Sequence, residues 1–166
     1  MPNMQRRSYE TGHRPKFLVV LDNTPENDRA IHFAARRAAR TGAALSMITF
    51  VAKPDNFEWL GVGEAMRAEA EAEAEDRLEQ AAGEARSSVG LDPEKIIRHG
   101  DKVQGILALI EEDPDISFLV LAAGTGKDGP GPLVSSIASK LSATFPIPII
   151  IVPGSLTNEE IDALAG

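Results

Sequence analysis

Two segments of the sequence carry residue types suited to a phosphorylated ligand. One is Asp22-Asn23-Thr24, where an apolar run stops; the other is AAGTGKDGPGPLVSS, from Ala122 to Ser136. The second segment contains Gly124, Gly126, Gly129 and Gly131 and ends on Ser135 and Ser136. Glycine adopts left-handed backbone angles and lets main-chain amides approach a ligand closely. Several such amides beside the positive end of a helix make an anion cradle. Hydroxyls of Ser135 and Ser136 can donate to phosphate oxygens, and Lys127 can add charge. Glycine and proline also simply turn a chain. The spacing leaves both readings open, because neither a Walker motif nor G-x-G-x-x-G is present. Asp22 can accept a hydrogen bond from a nucleotide or help hold Mg²⁺, and it can equally order its own turn through nearby amides.

Other chemistries find little support. His13, His32 and His99 are not paired at metal-ligand spacing, so no metal site is expected. No G-x-S-x-G elbow or histidine base accompanies the serines, and the absence of cysteine removes thiol and iron–sulfur chemistry. A phospho-accepting receiver domain needs an acidic pair after the first strand, an aspartate after the third and a lysine after the fifth. The corresponding segments here are Asp22-Asn23, Arg98-His99-Gly100 and Pro153-Gly154. A flavin carrier is disfavoured by an aromatic content of only 5% and by the loop D-N-T-P-E-N after the first strand. No catalytic residue is assigned. The reading leans away from an enzyme, with slow ATP hydrolysis as the most that is expected.

The elements that must position these residues follow from hydrophobic pattern. Phe17–Leu21 is a continuous apolar run, as in a strand covered on both faces. Thr24 and Pro25 then have helix-start chemistry, Ala30, Ile31, Ala34, Ala35 and Ala38 recur at helical spacing, and Gly42 closes the helix. Arg29, Arg36, Arg37 and Arg40 form the opposite face, which reads as a solvated helix surface. Leu45–Val51 is a second strand, followed by a loop from Lys53 that carries Trp59. A long Ala/Glu-rich helix spans about 62–88, with a stripe of Met66, Ala70, Ala74 and Leu78. Strands at 95–97, 118–122 and 147–152 alternate with helices. One has the apolar face Val103, Ile106, Leu107, Ile110; the next, at about 133–143, carries Ile137 and Leu141. A last helix starts at Thr157, with capping-box spacing to Glu160 and with Ile161 and Leu164 inward. This order predicts an α/β fold, a five-stranded doubly wound parallel sheet in three layers.

The chain has 166 residues, which suits one domain, and a formal charge of −8, which argues against nucleic acid and anionic membranes as partners. No apolar run approaches a membrane span, and the opening residues lack the pattern of a secretory signal, so a cytoplasmic protein is expected. A mobile tail (1–15), an α/β domain (16–153) and a short C-terminal helix (154–166) are the expected divisions.

Three segments together resemble the universal stress protein family over about Lys16 to Pro153. They are FLVVLDNTPENDRAI at the start, IIRHGD from Ile96 to Asp101, and SIASKLSATFPIPIIIV from Ser136 to Val152. The resemblance implies an adenine-nucleotide-alpha-hydrolase-like fold, often dimeric through the last strands, and ATP with Mg²⁺ as ligand in members with an intact glycine motif. That motif is Gly, two residues, Gly, nine residues, then Gly-Ser or Gly-Thr. Its first glycine falls on Ala123 and its second on Gly126. Eight residues then lead to Ser135, which stands where the last glycine would, and Ser136 matches the hydroxyl residue. Asp22 matches an aspartate near adenine and ribose, and Phe50 matches a residue whose main chain lies beside adenine. The resemblance, with Gly124 and Lys127 added from the chemistry of the loop, gives an expected nucleotide site of Asp22, Phe50, Gly124, Gly126, Lys127, Ser135 and Ser136. It is degraded at two glycines, and Pro130 and Pro132 withdraw two amide donors. The alternative is a nucleotide-free dimeric interaction module, paired through the apolar last strand, with no cofactor.

Overall fold

The fold is described from a computed structural model, which covers residues 5–52 and 62–166. The expected loop from Lys53 with Trp59 lies outside the described residues. Five strands, β1 (Lys16–Leu21), β2 (Ala44–Val51), β3 (Glu94–His99), β4 (Ile116–Ala123) and β5 (Ile149–Pro153), form one sheet in the order β3-β2-β1-β4-β5. All four pairings are parallel, with Leu21 opposite Thr49 and Ala122 opposite Val152. The helices are α1 (Asn27–Thr41), α2 (Val62–Val89), α3 (Lys102–Glu112), α4 (Pro132–Val134, continued to Lys140 in wider π-type turns) and α5 (Asn158–Ala165).

The predicted three-layer α/β architecture is therefore observed. Leu18 and Val20 face one way with α3 and α4, through Ile106, Leu109, Ile110, Val134 and Ile137. Phe17, Val19 and Leu21 face the other way with α1 and α2, through Ala30, Ala34, Ala38, Leu78 and Ala81. Successive side chains of a strand point to opposite faces, so a strand covered on both sides must be apolar throughout. The chain direction reverses its progress across the sheet between β1 and β4. Their carboxyl ends diverge there, which is where open α/β sheets take ligands.

Local details differ from expectation for identifiable reasons. α1 starts at Asn27 rather than at Thr24, because Thr24 turns its amide and hydroxyl toward Asp22 Oδ1, at 2.7 and 2.5 Å. Met66 at the start of the α2 stripe is exposed and Ala74 and Leu78 are buried, since only the second half of the helix lies over the sheet. On α3, Leu109 is buried and Leu107 only half-buried. Strands β3 and β4 run beyond their apolar cores in both directions, β5 begins only at Ile149, and the helix before it widens into π-type turns and ends at Lys140.

The arginine face of α1 is not simply solvated. α5 docks on it: Arg36 Nε donates to Asp162 Oδ1 at 2.7 Å, His32 Nε2 meets the same oxygen at 2.6 Å, and Arg29 donates to Asn158 at 2.7 Å. Arg37 and Arg40 donate to the carbonyls of Ala165 and Gly166. These hydrogen bonds, Arg36 first and His32 second, hold the Asp162 carboxyl well below the usual carboxylate range. Thr157 and Glu160 form the predicted capping box. Ile161 is buried as expected, but Leu164 is 65% exposed and Ala165 takes the inward position, one full turn from Ile161.

The segment before β1, expected as a tail, makes specific contacts over its described part. Arg6 donates to the carbonyls of Ile110, Asp113 and Ile116 at 2.7, 3.1 and 3.2 Å, at the end of α3 and the start of β4; Ile110 O has no helical donor of its own, since Pro114 stands four residues on. Ser8 is buried, and His13 Nδ1 lies 2.7 Å from Asp115 Oδ1. Among the described residues, no helix is long and apolar enough to cross a membrane.

Candidate functional site

At the reversal point a cavity of about 340 Å³ opens between the carboxyl ends of β1, β2 and β4 and the start of α4. Its floor is made by the strand ends Val20, Leu21, Thr49, Phe50, Leu121 and Ala122. Parallel strands all deliver their last residues to one edge, so three distant stretches of sequence meet here.

Asp22 lines this cavity. One of its carboxylate oxygens, Oδ1, is taken by Thr24, which makes the tight turn out of β1. The amide of Asp22 donates to Asn27 Oδ1 at 3.1 Å, while Asn27 Nδ2 donates to Val20 O at 2.7 Å. Asn27 is buried and bridges the two backbone positions flanking Leu21, setting the direction in which β1 delivers Asp22. Phe50 also lines the cavity. Its ring presses on Gly105 of α3, where an added Cβ would lie 2.5 Å from Cε1, so only glycine leaves the ring its place.

The other predicted residues are not part of that lining. The glycine loop side of the cavity is formed by Pro130, Gly131, Pro132, Leu133 and Val134, and Gly124, Gly126, Lys127, Ser135 and Ser136 are not among its lining residues. The loop amides are partly used internally. Gly124 N donates to Pro130 O at 3.1 Å, Gly129 N to Gly126 O at 3.1 Å, and Ser135 N to Gly131 O at 3.0 Å. Gly129 and Gly131 have φ of 80° and 106°, which L side chains rarely adopt, so these two glycines serve the turn itself. Lys127 is exposed.

Besides Asp22, the charge in the cavity comes from residues that sequence pattern did not single out. Among the described residues, Arg77 of α2 and Lys102 at the start of α3 are its cations, and Glu26 joins Asp22 as an anion. Glu26 lies against the glycine loop: a Cβ on Gly124 would be 3.0 Å from Glu26 Oε1, and one on Gly154 would be 2.6 Å from Glu26 Cβ. The signal for Glu26 and Asn27 was present, four and five residues past Asp22 in one short turn. Arg77 had none, because the register of a long helix against strand ends is not written in either sequence. No group of three or more metal-ligating side chains is assembled among the described residues.

The universal stress protein family model matches residues 13–153. No curated protein sequence matches significantly. Among solved structures, a universal stress protein, UspA, from Lactobacillus plantarum is 20% identical, covering 83% of this chain and 97% of that one with a TM-score of 0.68. A universal stress protein in complex with cAMP is 20% identical over 85% of this chain and 98% of that one, with a TM-score of 0.62. One from Archaeoglobus fulgidus in complex with dAMP is 19% identical over 83% and 97%, with a TM-score of 0.54. At these identities the likeness is one of fold.

Proposed function

Because the chain belongs to the universal stress protein family, we propose that the cavity between β1, β2 and β4 binds an adenine nucleotide and that the protein acts in the stress response. The observation that carries this reading is the cavity itself, which brings Asp22 and the main chain at Phe50 together where the sheet takes ligands. Two relatives of the same fold are described in complex with cAMP and dAMP. In this reading Asp22 and the Phe50 main chain hold the nucleoside. Gly124, Gly126, Lys127, Ser135 and Ser136 receive the terminal phosphates of ATP, with Mg²⁺, after Glu26 withdraws from the loop. A cytoplasmic homodimer paired through β5, with no nucleic-acid partner, completes the proposal. Ile151 on that edge strand is 38% exposed.

Thermal unfolding with and without millimolar nucleotide tests it. Ligand that binds only the folded state raises stability by about 2.7 kcal/mol at a hundredfold excess over its dissociation constant. A rise with AMP and ATP–Mg²⁺ but not GTP supports adenine binding. No rise with any nucleotide favours the second reading, a nucleotide-free dimeric module, for which the Glu26 carboxylate beside Gly124 and the internally bonded loop amides speak.

Two substitutions probe the loop. Gly126 has open space around its Cβ position and an ordinary φ, so Gly126→Ala is expected to fold normally. It is expected to weaken ATP several-fold by obstructing backbone approach, and unchanged ATP affinity in calorimetry would remove the loop from the site. Glu26→Gln removes a negative charge from beside the phosphate path. A like charge near 5 Å costs about 1–3 kcal/mol at a partly exposed site, so ATP is expected to bind at least about fivefold tighter. Equal affinity in the two proteins would mean that the phosphates do not pass Glu26.

A further inference from the structure

Arg77 lies on the wall shared by the nucleotide cavity and a neighbouring cleft of about 530 Å³. The other charged residues of that cleft, Asp22, Asp28, Glu73, Asp76 and Glu84, are all acidic. Even so, the guanidinium takes neutral partners. Nε donates to Asn23 Oδ1 at 3.0 Å, and Nη1 donates to Thr49 Oγ1 at 2.7 Å. Thr49 Oγ1 is itself fixed, donating to Leu21 O at 3.0 Å. Among the described residues Arg77 forms no ion pair and its Nη2 has no acceptor, so its full charge is held, oriented, at the ends of β1 and β2. A guanidinium fork restrained in this way matches phosphate oxygens with little further loss of side-chain freedom. Its partner Asn23 is next to Asp22 in the chain, and it bonds at the ends of β1 and β2, whereas the glycine loop follows β4 on the other side of β1.

We infer that Arg77 binds the phosphate nearest the ribose of a nucleoside phosphate seated in the cavity. This rests on the adenine-nucleotide reading, and adds to it a residue outside the glycine loop. One consequence follows for ligand class. The first phosphate meets a preformed cation, whereas the terminal ones must displace Glu26, so a nucleoside monophosphate binds about as tightly as the triphosphate.

Titration calorimetry on the full chain tests this with adenosine, AMP, ATP–Mg²⁺ and pyrophosphate, against wild type, Arg77→Met and Arg77→Lys. Methionine keeps much of the apolar stem and removes the fork. The expected result is a loss of about tenfold or more in affinity for AMP and ATP in Arg77→Met, partial recovery in Arg77→Lys, and unchanged adenosine binding. AMP affinity equal to wild type overturns the inference. So does an equal loss for adenosine and AMP, which would make Arg77 a strut between α2 and the strand ends. Wild type that binds pyrophosphate through Arg77 but no adenine compound keeps the anion site and overturns the adenine reading. Wild type that binds none of the four overturns both.

Discussion

Replacing Asn27 by alanine is expected to lower the unfolding free energy by about 2–4 kcal/mol and to weaken adenine-nucleotide binding with it. The side chain is 2% exposed and serves two backbone groups, donating to Val20 O and accepting from Asp22 N. Water has little access to restore either bond, and a buried polar group without a partner costs about 1–3 kcal/mol. The functional loss follows from the same geometry. Asp22 leaves β1 in a direction set by this bridge, and without it the carboxylate is no longer held at the cavity edge. Urea unfolding gives the stability change and calorimetry with AMP gives the affinity. A variant with wild-type stability and affinity would mean that Asp22 is positioned by Thr24 alone.

Truncating Ile161 to alanine is expected to cost about 2–5 kcal/mol, a large share of the ~5–15 kcal/mol that stabilises a domain of this kind. Ile161 is fully buried and belongs to the same core cluster as Val152 of β5 and Ala34 of α1. It is the main apolar anchor of α5, a helix that lies beyond residues 13–153 matched by the family. The polar contacts around it do not compensate, because Asp162 and its partners Arg36 and His32 are solvent-accessible and screened pairs contribute little. The comparison with Leu164→Ala sharpens the test, since Leu164 is exposed and its loss is expected to stay within about 0.5 kcal/mol. Equal effects of the two truncations on the urea midpoint would mean that α5 is not docked in solution.

The site was legible in part. Asp22 announced itself because it ends an unbroken apolar strand, and Phe50 entered only through the family resemblance. Both line the cavity. The glycine loop was legible as a loop but not as a cradle. Whether an amide is free depends on its neighbours, and here Pro130, Gly126 and Gly131 carbonyls accept from three of the amides. The arginines of α1 were read as solvated because a helical face shows its charge in sequence and not what covers it; α5 arrives there from more than a hundred residues away.

What the sequence determined by itself is the architecture. Continuous apolar runs such as Phe17–Leu21 can be buried only in a sheet covered on both faces, and their alternation with amphipathic helices leaves a doubly wound parallel sheet. These are local periodicities, each written in a few adjacent residues. Only the tertiary structure decided which charges face the cavity. The placement of Arg77 beside Asn23 and Thr49, and of Glu26 beside Gly124, depends on the rotation of α2 and on how the β4–α4 loop folds back. Both are set by side-chain packing between segments far apart in the chain, and such packing leaves no periodic signal in either segment.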